Sequence, residues 1–356
     1  AVDAAVKVTP KSAWDHLLLV RMHSRFAVTL TGLPDGATAP LRIALSKPLG
    51  GHGNKLPAGC AATSATLIRW TQVVGKVRME RTPVLSHWWN VPLYVSARGL
   101  TTSLMPADER GFEVGFDLID HRLDISVTDG SRRSMGLEPM SVAEFHWRFH
   151  ELLGELDLTT STWDMPVEIP AAVPFSEDTA NASYDADAVH RHWLAMVQMQ
   201  RVFEVYRAEF VGKSSPVHLF WGALDLAITR FSGRDAPPHP GGAPNCGPHV
   251  MHEAYSHEVA SAGYWPDFGA EGAFYAYAYP EPDGYRTTTV EPDAARWDDG
   301  LSEFVLPYEV VRTSDDPDGA LLAFLRSTYA AAADRAGWDR PALERSRVTD
   351  GARHHL

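Results

Sequence analysis

Residues 217–229 are the segment that most constrains the fold of this chain. They read VHLFWGALDLAIT, an almost wholly apolar run of the length of a buried β-strand, interrupted by Asp225. Successive side chains of a strand point to opposite faces, so Asp225 is predicted to share a face with Trp221, Ala227 and Thr229. An unpaired carboxylate in such a position loses hydration at a cost of several kcal/mol. We therefore expect Asp225 either to pair with a cation or to have a raised pKa.

Two interpretations of Asp225 follow from this position. A carboxyl of raised pKa on an aromatic wall is suited to act as a general base, and the small residues Gly222 and Ala223 would leave room for a substrate. Alternatively, Asp225 forms a structural salt bridge with Arg98 or Arg230, or accepts hydrogen bonds from backbone donors. Both interpretations are compatible with the sequence.

The composition indicates a globular protein with an acidic surface. The chain has 356 residues, of which 45% are hydrophobic and 22% charged, and its net charge is −13. Such a surface repels nucleic-acid backbones and anionic membranes, so neither is expected as a partner. No apolar run approaches the length of a membrane span, and Leu17–Val20 is too short for a signal peptide, so a cytoplasmic location is expected. Cys60 and Cys246 are the only cysteines, which argues against a disulfide framework and a thiolate metal site.

The order of the predicted elements indicates an α+β fold of two similar halves, each with a helix, three strands and a second helix. The tripeptide Val-Gly-Lys occurs in both halves, at residues 74–76 and 211–213. In the first half we expect helices over 65–78 and 141–156 and strands over 88–97, 112–117 and 122–128. In the second half we expect helices over 186–210 and 318–336 and strands over 217–231, 274–279 and 303–312.

The boundaries of these halves follow from the same pattern. A capping box, Ser141 with Glu144, marks the start of the second helix, and Asp129-Gly130 is typical of a hairpin turn. A ligand cleft is expected between the two halves. The predicted division is an N-terminal segment 1–56, a first half 57–165, a linker 166–184, a second half 185–345 and a tail 346–356.

The loop 239–258 contains a second group of candidate residues. His257 and Glu258 could face a substrate, or they could join His239 in a metal site, or the histidines could lie on the surface. Four aromatic residues could line a pocket or pack in the core: Trp88, Trp89, Trp221 and Tyr255. The sequence contains no nucleotide-binding loop and no serine-hydrolase elbow, so no cofactor is expected.

Several long motifs resemble those of a bacterial family of unknown function, over about residues 56–344. In the first half these are WTQVVGKVR at 70–78, HWW at 87–89, VPLYV at 91–95, ARGLTT at 97–102 and DHRL at 120–123. In the second half they are SPVH at 215–218, FWG at 220–222, TRFSGR at 229–234, HPGG at 239–242 and EAYSHE at 253–258. Membership of the family carries no activity with it.

The chain is also similar to the aziridine-forming components of azinomycin-type antibiotic biosynthesis. That resemblance implies a cofactor-free ring closure on a small biosynthetic intermediate, beside a sulfotransferase-like partner subunit. An amine would attack a carbon bearing a leaving group such as sulfate, with Asp225 as the general base and His218 or Arg230 near the departing anion. The predicted catalytic residues are Asp225, His218, His257 and Glu258. The predicted substrate-binding residues are Trp88, Trp89, Arg98, Trp221, Arg230 and Tyr255.

Two other classes of function remain open at this point. One is a non-catalytic protein that binds a small molecule or scaffolds a partner enzyme. The other is a metalloenzyme built on His239, His257 and Glu258.

Overall fold

The computed structural model of the chain describes residues 60–266 and 271–345. The predicted N-terminal segment 1–56 and the tail 346–356 lie outside the described residues. Within them the chain forms seven α-helices and two antiparallel sheets, which confirms the α+β prediction. None of the helices in these two ranges is both long and apolar enough to cross a membrane.

The first sheet is antiparallel, and most of its strands pair with a neighbour in sequence, although β2 pairs with β4 rather than with β3. The elements of this part of the chain are α1 (Cys60–Arg81), β1 (Tyr94–Ser96), β2 (Gly99–Thr101), β3 (Met105–Ala107), β4 (Arg110–Asp117), β5 (Arg122–Val127), β6 (Arg132–Gly136) and α2 (Val142–Glu155). The strand order is β1-β2-β4-β5-β6, and β3 also pairs with β4. The predicted turn at Gly130 joins β5 to β6, with a left-handed φ of 91°. The hydroxyl of Ser141 accepts the backbone N–H of Glu144, so α2 begins where the capping box predicts.

The second sheet also has six strands. The elements are α3 (Ala186–Ala208), β7 (His218–Phe220), β8 (Asp225–Asp235), α4 (Pro248–Ala254), β9 (His257–Trp265), β10 (Ala273–Tyr279), β11 (Arg296–Asp298), β12 (Glu303–Pro307), α5 (Tyr308–Thr313), α6 (Pro317–Arg335) and α7 (Arg340–Leu343). The strand order is β11-β12-β10-β9-β8-β7. The first strands of the two sheets, β1 and β7, lie side by side, because Leu93 and Leu219 exchange backbone hydrogen bonds of 2.9 and 2.8 Å.

The two parts of the chain exchange side-chain contacts across this boundary. The indole of Trp221, after β7, packs on Gly75 of α1, where a Cβ would collide with the ring. In the other direction, the indole N–H of Trp193 on α3 donates to the carbonyl of Ser96 on β1 at 3.1 Å. Each leading helix therefore supports an element of the other part.

Three strand predictions were wrong in extent. Residues 217–231 form two strands rather than one, since Leu224 has a left-handed φ of 58° and the turn at 221–224 separates them. Residues 308–312, predicted as strand, begin α5 directly after Pro307. In 88–97 only Tyr94–Ser96 is a strand, and Trp88 belongs to the 3-10 turn Ser86–Trp88, in which His87 and Trp88 both have φ of 60°.

The predicted halves also differ from the observed ones in detail. Each sheet has six strands among the described residues, where three were expected. The two Val-Gly-Lys tripeptides are not equivalent, because 74–76 lies within α1 and 211–213 follows the end of α3. The similarity of the parts lies in the order of a helix, an antiparallel sheet and a helix.

The two faces of the second sheet have different environments. Leu226, Ile228 and Arg230 of β8 point to the face covered by α3 and α6 and are buried there. The alternating residues of the same strand, which include Asp225 and Thr229, point to the opposite face. That second face forms the floor of the cavity described below.

Candidate functional site

A cavity of about 610 Å³ lies on the open face of the second sheet. Its floor is formed by β7, β8, β9 and β10. Its roof comes from α1, from the 3-10 turn Ser86–Trp88 and from the loops around residues 163–168 and 243–255. Both polar and aromatic side chains line it, among them Lys76, Trp88, Trp163, Glu168, His218, Phe220, Trp221, Asp225, Thr229, Tyr255, Ser261, Tyr275 and Tyr277. A volume of this size accommodates a small organic ligand.

Asp225 lies on the cavity floor and is held by Tyr275. The Tyr275 hydroxyl donates to Oδ2 of Asp225 at 2.5 Å. The two residues belong to β8 and β10, with β9 between them, so the phenol has to cross one strand. Gly263 on β9 makes this possible, because a Cβ there would lie 2.6 Å from the Leu226 carbonyl oxygen and would strike the Tyr275 hydroxyl. The glycine thus leaves space for the Tyr275–Asp225 hydrogen bond.

Glu168 reaches the cavity from the opposite side, from the segment that connects the two sheets. The side chain of Gln72 fixes this segment, since its amide donates to the carbonyls of Val167 and Gly222, both at 3.0 Å, and accepts the Val167 N–H at 2.9 Å. The Glu168 carboxyl lies against Gly222, where any Cβ would collide with it. The sheet turn at Gly222 and the carboxyl of Glu168 are thereby kept together.

The pKa values of these carboxyls are raised into the neutral range. Burial raises the pKa of Asp225 to about 6, opposed by the hydrogen bond from Tyr275 and by its own backbone N–H. The close packing of protein around Glu168 raises the pKa of its carboxyl to about 7, and the charge of Asp225 adds to the effect. Part of the Glu168 residue is nevertheless exposed to solvent. Glu303, on β12 beyond the cavity wall, also has a pKa raised to about 7 by burial and by Asp225. The negative charge that this region can hold at neutral pH is therefore limited.

His218 lines the cavity without a hydrogen-bond partner. It is 1% exposed, and neither ring nitrogen has a partner within the described part of the chain. Burial lowers its pKa to about 4, so the imidazole is neutral at pH 7. A buried ring with one free donor and one free acceptor is suited to bind polar atoms of a ligand.

The roof is fixed by the buried ring of His87. Its Nδ1 contacts the carbonyls of Glu253 and Ala254 at 3.1 Å, while Nε2 lies 2.7 Å from Nζ of Lys213. Because the carbonyls need a donor and the ammonium needs an acceptor, the proton is assigned to Nδ1. Burial and the Lys213 charge lower the pKa of His87, which keeps the ring neutral. His87 therefore ties the 3-10 turn to the end of α4.

Six of the ten predicted site residues line this cavity: His218, Asp225, Trp88, Trp89, Trp221 and Tyr255. The other four, Arg98, Arg230, His257 and Glu258, do not. Arg98 pairs with Asp117 and Asp120 on the first sheet, at 2.5 and 2.6 Å.

Strand alternation explains two of the other placements. Arg230 points to the helix side of the second sheet, where its guanidinium stacks on the rings of Tyr206, Phe210 and Tyr329 and donates to the Tyr206 carbonyl. Glu258 also points away from the cavity and pairs with Arg234 at 2.6 Å. Neither side chain can reach Asp225 without a reversal of its strand.

His257 and His239 contact other protein groups, and the alternative metal site of His239, His257 and Glu258 is not formed among the described residues. His257 is at the start of β9, with Nε2 3.6 Å from the exposed carboxyl of Asp235. His239 stacks on Tyr255 and accepts the Gly241 N–H at 3.0 Å. No group of three or more His, Cys, Asp or Glu side chains that could hold a metal ion occurs among residues 60–266 and 271–345.

Four residues important to the cavity were missed from the sequence: Gln72, Lys76, Glu168 and Tyr275. Gln72 and Lys76 lie in the WTQVVGK motif, four residues apart and therefore on one face of α1. The alternation of Tyr275, Tyr277 and Tyr279 could have indicated a tyrosine-lined strand face. Glu168 lies in a proline-rich connection that has no periodic pattern to place its side chain.

Comparison with known proteins gives one match. A model of a family of unknown function (DUF5996) matches residues 56–345. No curated protein and no solved structure matches the chain.

Proposed function

The chain belongs to the DUF5996 family, whose function is unknown, and we propose that it is an enzyme that removes a proton from a small-molecule amine bound in the cavity, with Asp225 as the general base. The observation that carries this proposal is the Asp225 carboxyl on the cavity floor. It has a pKa of about 6 and one oxygen held by Tyr275, and it lies in a space large enough for a ligand. A base whose pKa lies close to the working pH is effective in proton transfer.

The lining of the cavity supports an amine as the ligand. Trp88 and Trp221 present aromatic rings, which attract an ammonium group by cation–π interaction. Asp225 and Glu168 add carboxyl groups that favour the same charge. An amine that enters as the ammonium ion would find Asp225 as a proton acceptor within the cavity.

For the reaction we propose an intramolecular substitution that closes a small nitrogen ring. The proton leaves the amine nitrogen for a carboxylate oxygen of Asp225, and the nitrogen lone pair attacks the neighbouring carbon. A carbon–nitrogen bond forms as the carbon–oxygen bond to a sulfate ester breaks, and sulfate departs with the bonding electron pair. A sulfotransferase-like partner would supply the ester. Asp225, with a pKa of about 6, can then release the proton to solvent.

The test uses vicinal amino sulfate esters, starting with 2-aminoethyl hydrogen sulfate, and measures sulfate release together with the cyclic amine by mass spectrometry. We expect Asp225→Asn to abolish turnover, because the amide cannot accept the proton. Asp235→Asn is the matched control: it changes the same residue type on the same strand, but its side chain is 95% exposed and lies outside the cavity. Full activity of Asp225→Asn would refute the proposal.

The same variants separate catalysis from binding alone. A protein that only binds a small molecule would retain the amino sulfate unchanged, and Asp225→Asn would alter affinity without altering any product. Detection of bound, unconverted ester in the presence of the sulfotransferase partner would therefore favour the binding protein over the enzyme.

A further inference from the structure

Lys76 is a buried lysine that faces the cavity without an anionic partner. Its side chain is 1% exposed, and it lines the cavity roof from the middle of α1. No carboxylate of the described chain lies within 4 Å of its amine, and no hydrogen bond to it occurs there. Its nearest neighbours are aromatic, with Nζ 4.8 Å from the centre of the Trp163 ring and 5.9 Å from that of Phe175. A buried cation is normally paired with an anion, so an unpaired Lys76 indicates that the anion comes from a ligand.

The acidic groups near Lys76 do not neutralise it. Asp164 is the largest electrostatic influence, but its carboxyl accepts the backbone N–H and the hydroxyl of Ser176 and approaches His146 at 3.7 Å. Burial outweighs the attraction of Asp164, Glu80 and Cys246 and lowers the pKa of Lys76 to about 8. The amine is therefore still mostly protonated at neutral pH.

Lys76 lies near the side of the cavity that carries Glu168. It follows Gln72 by one helical turn, and Gln72 fixes the segment that carries Glu168. The charges of Lys76 and Glu168 both act on the thiol of Cys246, in opposite directions. The roof thus presents a cation to the same space whose floor presents Asp225.

From this arrangement we infer that Lys76 binds an anionic group of the ligand, so that the substrate carries an oxyanion (sulfate, phosphate or carboxylate) in addition to its amine. The inference rests on the proposed function in one respect, which is that the ligand of this cavity is a substrate amine. Lys76 would hold the anionic group at the roof, while the amine lies against Asp225 on the floor. Such two-point binding fixes the orientation of the nitrogen relative to the leaving group.

Anion binding can be measured without any turnover. Sulfate, phosphate and acetate are titrated into the full chain at constant ionic strength, balanced with chloride, and binding is followed by tryptophan fluorescence and calorimetry. We expect saturable binding of at least one of these anions. Lys76→Met should weaken it by about tenfold or more, since a charged hydrogen-bond donor is lost. Arg122→Met, which removes an exposed positive charge from the first sheet, is the matched control and should bind as the wild type does.

A stability measurement guards against a variant that does not fold. If Lys76 is retained for binding, its replacement by the apolar methionine should raise the temperature of unfolding, because an unpaired buried charge is removed. Lys76→Gln provides a second neutral side chain, should methionine fail to fold. Unchanged anion affinity in a folded neutral variant, or no saturable anion binding by the wild type, would overturn the inference.

The outcomes distinguish this inference from the proposed function. Asp225→Asn should retain anion binding, since Asp225 does not contact the anion. If Asp225→Asn loses turnover while Lys76→Met binds anions normally, the anion site at Lys76 is refuted and the proposal of Asp225 as the general base stands. If Asp225→Asn is fully active while Lys76→Met loses anion binding, the general base fails and the anion site remains.

Discussion

Replacement of Asp225 by asparagine should stabilise the protein at neutral pH. In the folded chain the pKa of Asp225 is about 6, against 3.8 for the ordinary carboxyl. Each unit of difference corresponds to about 1.4 kcal/mol, so the ionised form in the folded state is disfavoured by about 3 kcal/mol. Asparagine resembles the protonated carboxyl and can still accept the hydrogen bond from Tyr275. The variant should therefore recover on the order of 2–3 kcal/mol of unfolding free energy at pH 7.

The sign of the pH dependence follows from proton binding. Between about pH 4 and pH 6 the folded state holds a proton on Asp225 that the unfolded chain has released, so stability falls as the pH rises through this window. Below it, both states are protonated and the penalty disappears. The difference in stability between Asp225→Asn and the wild type should thus be small near pH 4 and reach its full size above pH 6.

Urea denaturation at a series of pH values from 4 to 7 measures this difference directly. Titrating groups that Asp225 does not influence change both proteins alike, so they cancel when the two curves are subtracted. Glu168 and Glu303 do not cancel completely, because the Asp225 charge that helps to raise their pKa values is absent from the variant. Asp235→Asn, at an exposed position of the same strand, should give no pH-dependent difference. If Asp225→Asn is less stable than the wild type at pH 7, or if the difference is the same at all pH values, the argument for a strained carboxylate is refuted.

Two further variants test how the carboxyl is held. Tyr275→Phe removes the hydrogen-bond donor that lowers the pKa of Asp225. The acidic limb of the pH–rate profile for amino sulfate turnover should therefore move up by about one pH unit. An unmoved profile would show that Tyr275 does not control the pKa of the catalytic base. Gly263→Ala places a Cβ against the Tyr275 hydroxyl and should lower the unfolding free energy by about 1–3 kcal/mol in urea titrations. Gly115→Ala is its control, since a Cβ there has an ordinary contact of 3.8 Å, and equal losses in both variants would contradict the explanation.

Elements defined by local interactions could be predicted from the sequence. The start of α2 depends on Ser141 and Glu144, three residues apart, and the hairpin at Asp129-Gly130 depends on a glycine with positive φ. Asp225 could also be predicted as a candidate site residue, because a single carboxyl in an apolar run needs either a partner or a raised pKa. These predictions needed only neighbours in the chain.

Features that depend on distant contacts could not be predicted in this way. The break between β7 and β8 requires Leu224 in a left-handed conformation, and the adjacent Gly222 is held by Gln72, 150 residues away in the sequence. Val167, which precedes Glu168, is held by the same glutamine from a distance of 95 residues. Arg230 was expected near a leaving group, but once the register of β8 is fixed its side chain must point to the helices.

The cavity depends on contacts that the two parts of the chain exchange. The turn that precedes Asp225 is supported by two residues of α1, the leading helix of the other part. Gly75 accommodates the indole of Trp221, and Gln72 donates a hydrogen bond to the carbonyl of Gly222. In return, Trp193 supports the edge strand of the first sheet at Ser96. Each part therefore lacks, on its own, some of the contacts that support its elements, although the two parts follow a similar order of elements. Two separately expressed fragments, cut between the sheets, would regain the cavity only by complementation, when each restores the helix that the other lacks.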